Sequence, residues 1–277
     1  MLAKIIAVPF MVVALVFLYL AMEVDGTYGF YTLFPVMALS VIYVFSPQIN
    51  WWWYQRNPPE LKAPVRQLLN ARFPFYQSLS AANKKRFRVR MTLYMEANDF
   101  IAQGTENIPQ DVKSVIAANA VWLTFGLADF LLNPFEHIVV YPHPFPSPQF
   151  PKNWHTAEIQ EEDGVILFAV EQLMKGFWQP RKFYNIGLHE FAKVFVKRYP
   201  DKNYPQMGPD CWEKLKQVSG FSYEFISKWI GLPDIEPLPV AIAHFFVFPE
   251  NFQRELPEEF EAFRSVFNQN LGLRQGD

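Results

Sequence analysis

The chain is poor in the residues that build cross-linked or metal-rich scaffolds. One of its 277 residues is a cysteine, Cys211, which excludes an intramolecular disulfide and any Cys-rich zinc or iron–sulfur centre. Glycine is scarce at 12 residues and follows no period, while 51% of the chain is hydrophobic. Collagen-like repetition and wholesale disorder are therefore excluded. A surplus of one charge is missing too. Lys and Arg number 25 against 27 Asp and Glu, a net charge of -2. No nucleic-acid partner is expected from that balance. There is no internal repeat and no low-complexity tail. A mean hydropathy of -0.01 hides an uneven spread, because the apolar residues crowd the first fifty positions.

Charge is absent from Ile5 to Met22, a run that as a helix spans ~27 Å, close to a bilayer core. A second uncharged run covers Phe30 to Phe45, and the turn between them holds Glu23, Asp25 and Gly26. Trp51, Trp52, Trp53 and Tyr54 follow, an aromatic cluster suited to the headgroup zone. Lys4 precedes the first run and Arg56, Lys62 and Arg66 follow the second, with no cation between. By the positive-inside rule both ends face the cytoplasm. The expectation is a two-helix transmembrane hairpin over residues 1–50, an interfacial aromatic segment and Pro-rich linker over 51–70, and a soluble domain over 71–277. That describes a multi-pass protein of the inner, cytoplasmic membrane with its soluble domain facing the cytoplasm. A cleavable signal peptide fits less well, since the first run is long and a second follows at once.

Beyond the linker Asn57–Pro64, the pattern predicts a basic helix over Leu79–Ala102 and an apolar helix over roughly 111–130. Strands are predicted at His137–Pro142 and Gly164–Val170. The Pro-rich stretch between them reads as a surface crossing, and Glu158, Glu161, Glu162 and Asp163 as a solvated turn. Further helices are expected from about Tyr184, over Pro209–Ser219 and Ser222–Leu232, and after Pro239 and Pro257. The class is α+β, helix-rich. His137, His143 and His155 are read as structural, and Cys211 as a small buried apolar group.

One short motif carries chemistry. His189-Glu190-Phe191-Ala192-Lys193 begins like the zinc motif H-E-x-x-H, in which two histidines one turn apart bind the metal and the glutamate is the general base. Here Lys193 stands at the second ligand position.

The segments NIGLHEFA, GVILFAVEQLMKG, VIAANAVWLTFG and HIVVYPHPF, in that setting, resemble the Mlc titration factor A family of zinc-dependent peptidases over roughly residues 72–270. The resemblance implies a gluzincin-like metallopeptidase fold and aminopeptidase-like hydrolase activity. It also implies a zinc held by two motif histidines and a downstream glutamate. Carried over residue by residue, His189 matches the first ligand and Glu190 the general base. Lys193 replaces the second histidine. On the family's downstream helix Glu236 matches the first glutamate, while Ala243 replaces the second and His244 lies beside it. Pro237 and Pro239 fall where the family continues a helix.

With two ligand positions lost, no cofactor is expected, or zinc if His189 is joined by His244 or Glu236. Three functions follow. The first is a degenerate pseudopeptidase that binds a peptide or protein partner. The second is an active zinc metallopeptidase of unusual ligation, and the third a membrane scaffold.

Overall fold

The computed structural model of the protein describes residues 2–268, so residues 269–277 of the expected soluble domain lie outside the described residues. The chain divides into two compact units at Pro59, inside the Asn57–Pro64 linker.

The first unit is helical throughout. Helix α1 (Leu2–Glu23) is long and apolar enough to cross a membrane. The second apolar run does not form one straight helix. It is divided into α2 (Tyr28–Tyr31), α3 (Leu33–Val44) and α4 (Ser46–Arg56), and α2–α3 bends by 61° against α4. Phe45 departs from helical geometry at that bend, and Pro47 starts the next helix, where its missing N–H costs no hydrogen bond. The tryptophan cluster lies within α4. A second uninterrupted span is thus not present among the described residues.

The second unit opens with α5 (Ala63–Arg72), α6 (Pro74–Ser78) and α7 (Ala81–Ala97). Helix α7 stops five residues short of the expected end. Asn98 turns extended, its side chain donates to the Tyr94 carbonyl at 2.7 Å, and strand β1 (Asp99–Ala102) follows. Then come α8 (Gln110–Thr124), β2 (His137–Tyr141), β3 (Ala157–Gln160), β4 (Val165–Ala169) and α9 (Val170–Trp178). The remaining helices are α10 (Ile186–Arg198), α11 (Cys211–Ser219), α12 (Tyr223–Ile230), α13 (Pro237–Val247), α14 (Pro249–Glu255) and α15 (Pro257–Phe267).

The four strands form one sheet in the order β1-β2-β4-β3, parallel except for β3, which pairs antiparallel to β4 at the edge. Period-two alternation divides β4 between two faces. Ile166 and Phe168 enter the main core with the helices, and Leu167 and Ala169 face the other way onto Phe145. The Pro-rich stretch is therefore a cover over the second face of the sheet, with Phe145 and Ser147 buried, where a surface crossing was expected. Glu158 is likewise buried on β3, not solvated. Gly164 closes the β3–β4 turn at φ +61°, with the Pro134 carbonyl where a side chain would stand. Pro237 and Pro239 do not interrupt α13. Both sit in its first turn, where proline is tolerated.

Candidate functional site

Helix α10 carries the motif, and its placement is over-determined. Asn185 caps it by accepting the Leu188 N–H at 3.1 Å, and its amide donates to Asn119 Oδ1 on α8 at 3.0 Å. Gly187 permits the close approach, since a Cβ there would lie 2.6 Å from the Asn119 side chain. Leu188, Phe191, Ala192, Val194 and Phe195 are fully buried, and each large one contributes roughly 1.5–3 kcal/mol by leaving water. Lys197 and Arg198 stand in the last turn, where the helix dipole favours cations. Helix α10 packs on α8, α13 and the edge strand β3.

At its centre Lys193 Nζ lies 2.9 Å from Glu190 Oε2, with Glu190 1% and Lys193 24% exposed. Three residues apart on a helix, the two side chains share one face. Burial pushes the Glu190 carboxyl above its ordinary range, and the neighbouring Lys193 ammonium pulls it back toward ionisation. His189 Nδ1 shares a 2.8 Å hydrogen bond with the Tyr184 hydroxyl, while its Nε2 stands 3.9 Å from Glu190 Oε1. Burial first, then the charge of Lys193, holds His189 well below its ordinary pKa, so it is neutral. Burial and the charge of Glu190 push Tyr184 up.

A cavity of about 290 Å³ adjoins this pair. His189, Glu190 and Lys193 line it from α10, Glu158 from β3, and Glu236 from the N-cap of α13. Glu158 is paired with His155, whose Nε2 lies 2.6 Å away, both fully buried. Burial opposes ionisation of Glu158, but hydrogen bonds from His155 and Ser147 and the His155 charge hold its pKa below the ordinary value.

Among the sequence-derived candidates, the fold brings His189, Glu190, Lys193 and Glu236 to one cavity. Ala243 is buried in the apolar core, and neither it nor His244 lines the cavity. His244 Nε2 lies 2.6 Å from Ser219 Oγ, so one of its ring nitrogens already has a partner. Burial drives the His244 pKa down to about 3. The reading of the sequence missed Tyr184 and the His155–Glu158 pair. Tyr184 lies five residues before His189, and no spacing rule marks it. His155 and Glu158, three apart and next to a strand, offered a weak signal.

A helix that begins like a zinc motif, packed beside the edge strand of a small mixed sheet, defines a metallopeptidase-like protein. The profile of the glucose-regulated metallo-peptidase M90 family matches residues 49–268, and the chain belongs to that family of zinc-dependent peptidases. It is also similar to an uncharacterized protein of Synechocystis sp., 29% identical over 167 residues, 56% of this chain and 60% of that relative. The chain thus spans about three-fifths of the relative it matches.

The residues present do not fit the family's zinc. A catalytic zinc takes three protein ligands and one open position. Here one imidazole nitrogen, His189 Nε2, faces a carboxylate already paired with an ammonium. Among the described residues no group of three or more His, Cys, Asp or Glu is placed to hold a metal ion. Lys193 brings a fixed positive charge beside the first ligand and repels a divalent cation.

Proposed function

We propose that the chain is a catalytically degenerate, metal-independent member of its family, a module that binds a peptide or protein partner in the cavity beside α10. The observation that carries this reading is the 2.9 Å contact between Lys193 Nζ and Glu190 Oε2. It engages the family's general base and supplies the site with a cation of its own. Edge strand β3, whose Glu158 and Ile159 line the same cavity, supports peptide binding, since an extended segment can add to a sheet edge.

In this reading residues 1–50 form the membrane hairpin, 51–70 the interfacial segment and linker, and the remainder the peptidase-like domain facing the cytoplasm. Helix α1 packs on α3 and α4, and the Ala3 N–H donates to Asn50 Oδ1 at 3.1 Å, an arrangement that supports a returning chain. The test is the metal content of the full chain purified in detergent. Zinc well below stoichiometric is expected. About one zinc per chain, with peptidase activity abolished by Glu190→Gln, overturns the reading in favour of an active enzyme that draws on Glu236.

A further inference from the structure

Residues 61–95 carry eight Lys or Arg side chains and no Asp or Glu, in a chain whose net charge is -2. The lysines and arginines with a carboxylate in ion-pair reach, from Lys175 to Arg264, all stand later in the chain. None of the eight has such a partner among the described residues. Arg86 and Arg90 are occupied inward. Both donate to the Leu127 carbonyl beyond α8, and Arg90 also to those of Thr124, Phe125 and Ala128. Lys84 and Arg88 stand one turn apart on α7, a like-charge pair that destabilises a helix until a counter-charge arrives.

A second observation is an open cavity of about 310 Å³ between α5 and α7, lined by Ala63, Arg66, Gln67, Asn70 and Arg88. The four residues from α5 are spaced three and four apart, so they share a face, and it points away from the buried Val65 and Leu69. Arg88 is held in place, because it donates to the hydroxyl of the fully buried Tyr76 at 2.6 Å. Lys84 stands over the same ring, 5.7 Å from its centre. The Arg66 guanidinium has no partner among the described residues, and Arg88 keeps donors beyond the one that Tyr76 takes. Two guanidiniums and the Gln67 amide, with no carboxylate among them, form a donor set for a phosphate.

Position in the chain decides which phosphate. Six residues separate α5 from α4, the helix that carries the tryptophan cluster. Cations clustered on the cytoplasmic side of a membrane-spanning segment are attracted to anionic lipid. The excess of charge also extends well beyond the cavity, as suits a wide anionic surface better than one small ligand. We propose that the face formed by α5 and α7 binds the phosphate of an anionic phospholipid, with Arg66 and Arg88 as its donors and Lys84 adding to the field around it. The inference rests on the membrane-anchored, cytoplasm-facing part of the proposed function and is independent of its metal-free site.

The experiment is native mass spectrometry of the full chain in an uncharged detergent, with equal amounts of dioleoylphosphatidylglycerol and dioleoylphosphatidylcholine. The two lipids share their tails, but choline cancels the charge of the second one's phosphate. The anionic lipid is expected on the chain about fivefold more often or better. Arg66→Gln with Arg88→Gln should lower that preference by about threefold or more. Arg66→Gln alone, which leaves the bond between Arg88 and Tyr76 intact, should lower it in the same direction. A preference that survives both variants belongs to other cations, such as Lys4 or Arg56, and overturns the inference, as does the absence of any preference. Displacement of the bound lipid by glycerol 3-phosphate or by a short oligouridylate at equal concentration assigns the site to a soluble phosphate or to nucleic acid, and overturns it too. Retention by membranes after alkaline carbonate washing is measured on the same full chain. A chain that stays on membranes but shows no dependence on Arg66 and Arg88 overturns this inference alone. A chain that washes off overturns the anchored reading, and this inference with it.

Discussion

Lys193 Nζ lies 2.9 Å from Glu190 Oε2 in a setting where Glu190 is wholly buried and Lys193 is one-quarter exposed. The carboxylate depends on that neighbour, because no other cation contacts it among the described residues. Breaking one partner of such a pair leaves an uncompensated buried charge, and partial exposure of the lysine moderates the loss. Lys193→Ala should therefore destabilise the protein by about 3 kcal/mol. Lys193→Met combined with Glu190→Gln removes both charges, and should recover most of that loss. Denaturant midpoints of the three chains check this. A double variant no more stable than Lys193→Ala would mean that the pair carries no coupling.

The same lysine governs metal. Lys193→His removes the repelling ammonium and restores a second imidazole one turn from His189, with Glu236 on the same cavity as an oxygen donor. Zinc affinity should rise at least tenfold, corresponding to about 1.4 kcal/mol. Glu236→Gln in that background should take back most of the gain if its carboxylate is the third ligand. Equilibrium dialysis against zinc reads both changes. Ala243→Glu is the poorer route, because Ala243 is part of the buried core, where a carboxylate has no polar partner.

How far the sequence carried the fold depended on periodicity and punctuation. Helix α10 and strands β2 and β4 were legible, since Asn185, Gly164 and runs of β-branched and aromatic residues mark them. Strand β1 was hidden behind α7, because Phe100 and Ile101 continue the apolar pattern of a helix that Asn98 ends. Strand β3 is four residues long and includes Glu158, whose burial depends on His155 and Ser147, partners no spacing rule supplies. At the site, the neighbours Glu190 and Lys193 were readable as a helical i,i+3 pair. Tyr184 and Ser219 were not, because Tyr184 reaches His189 from the loop just before α10, and Ser219 meets His244 only when the end of α11 packs on α13.

Two buried histidines set the acid limb of stability. Burial holds His244 down to about 3, and burial with the charge of Lys193 holds His189 well below 6.5. The unfolded chain takes up a proton on each near pH 6.5, while the folded chain does not. The unfolded state thus binds more protons below that pH, and stability falls as pH drops, by at most about 1.4 kcal/mol per pH unit for each histidine. Glu190 acts in the opposite sense, since its raised pKa lets the folded state take a proton first, but one carboxyl opposes two imidazoles. Denaturant midpoints should decline from pH 7 to pH 5. His244→Gln should make that decline shallower, and an unchanged slope would remove His244 as a contributor.

Asn185 makes two hydrogen bonds, accepting from the Leu188 N–H as the cap of α10 and donating to Asn119 Oδ1 on α8. Asn185→Ala removes both the cap and the bond between helices, and should cost about 2 kcal/mol. Asn185→Asp keeps the cap acceptor but loses the donor to Asn119, and should cost less. Thermal unfolding orders the three chains. Equal losses would show that the cap contributes little beside the contact with Asn119.

Helix α1 is long and apolar enough to cross a bilayer, and membrane attachment is the outcome expected of it. The full chain should remain with membranes after alkaline carbonate washing. Orientation is the finer expectation, and it rests on Lys4 at one end and Arg56, Lys62 and Arg66 at the other, with none between. In a bacterial host, a fluorescent reporter that folds only in the cytoplasm should be active when fused to the C-terminus, and alkaline phosphatase in its place should be inactive. If α1 is instead the only crossing, the C-terminus changes sides and the two reporters exchange outcomes. Introducing two lysines into the Val24–Thr27 turn should disfavour export of that turn and favour the inverted hairpin, in which both termini are exported, because each added cation opposes translocation. A C-terminal reporter unchanged by those lysines would count against a hairpin whose orientation is set by its flanking cations.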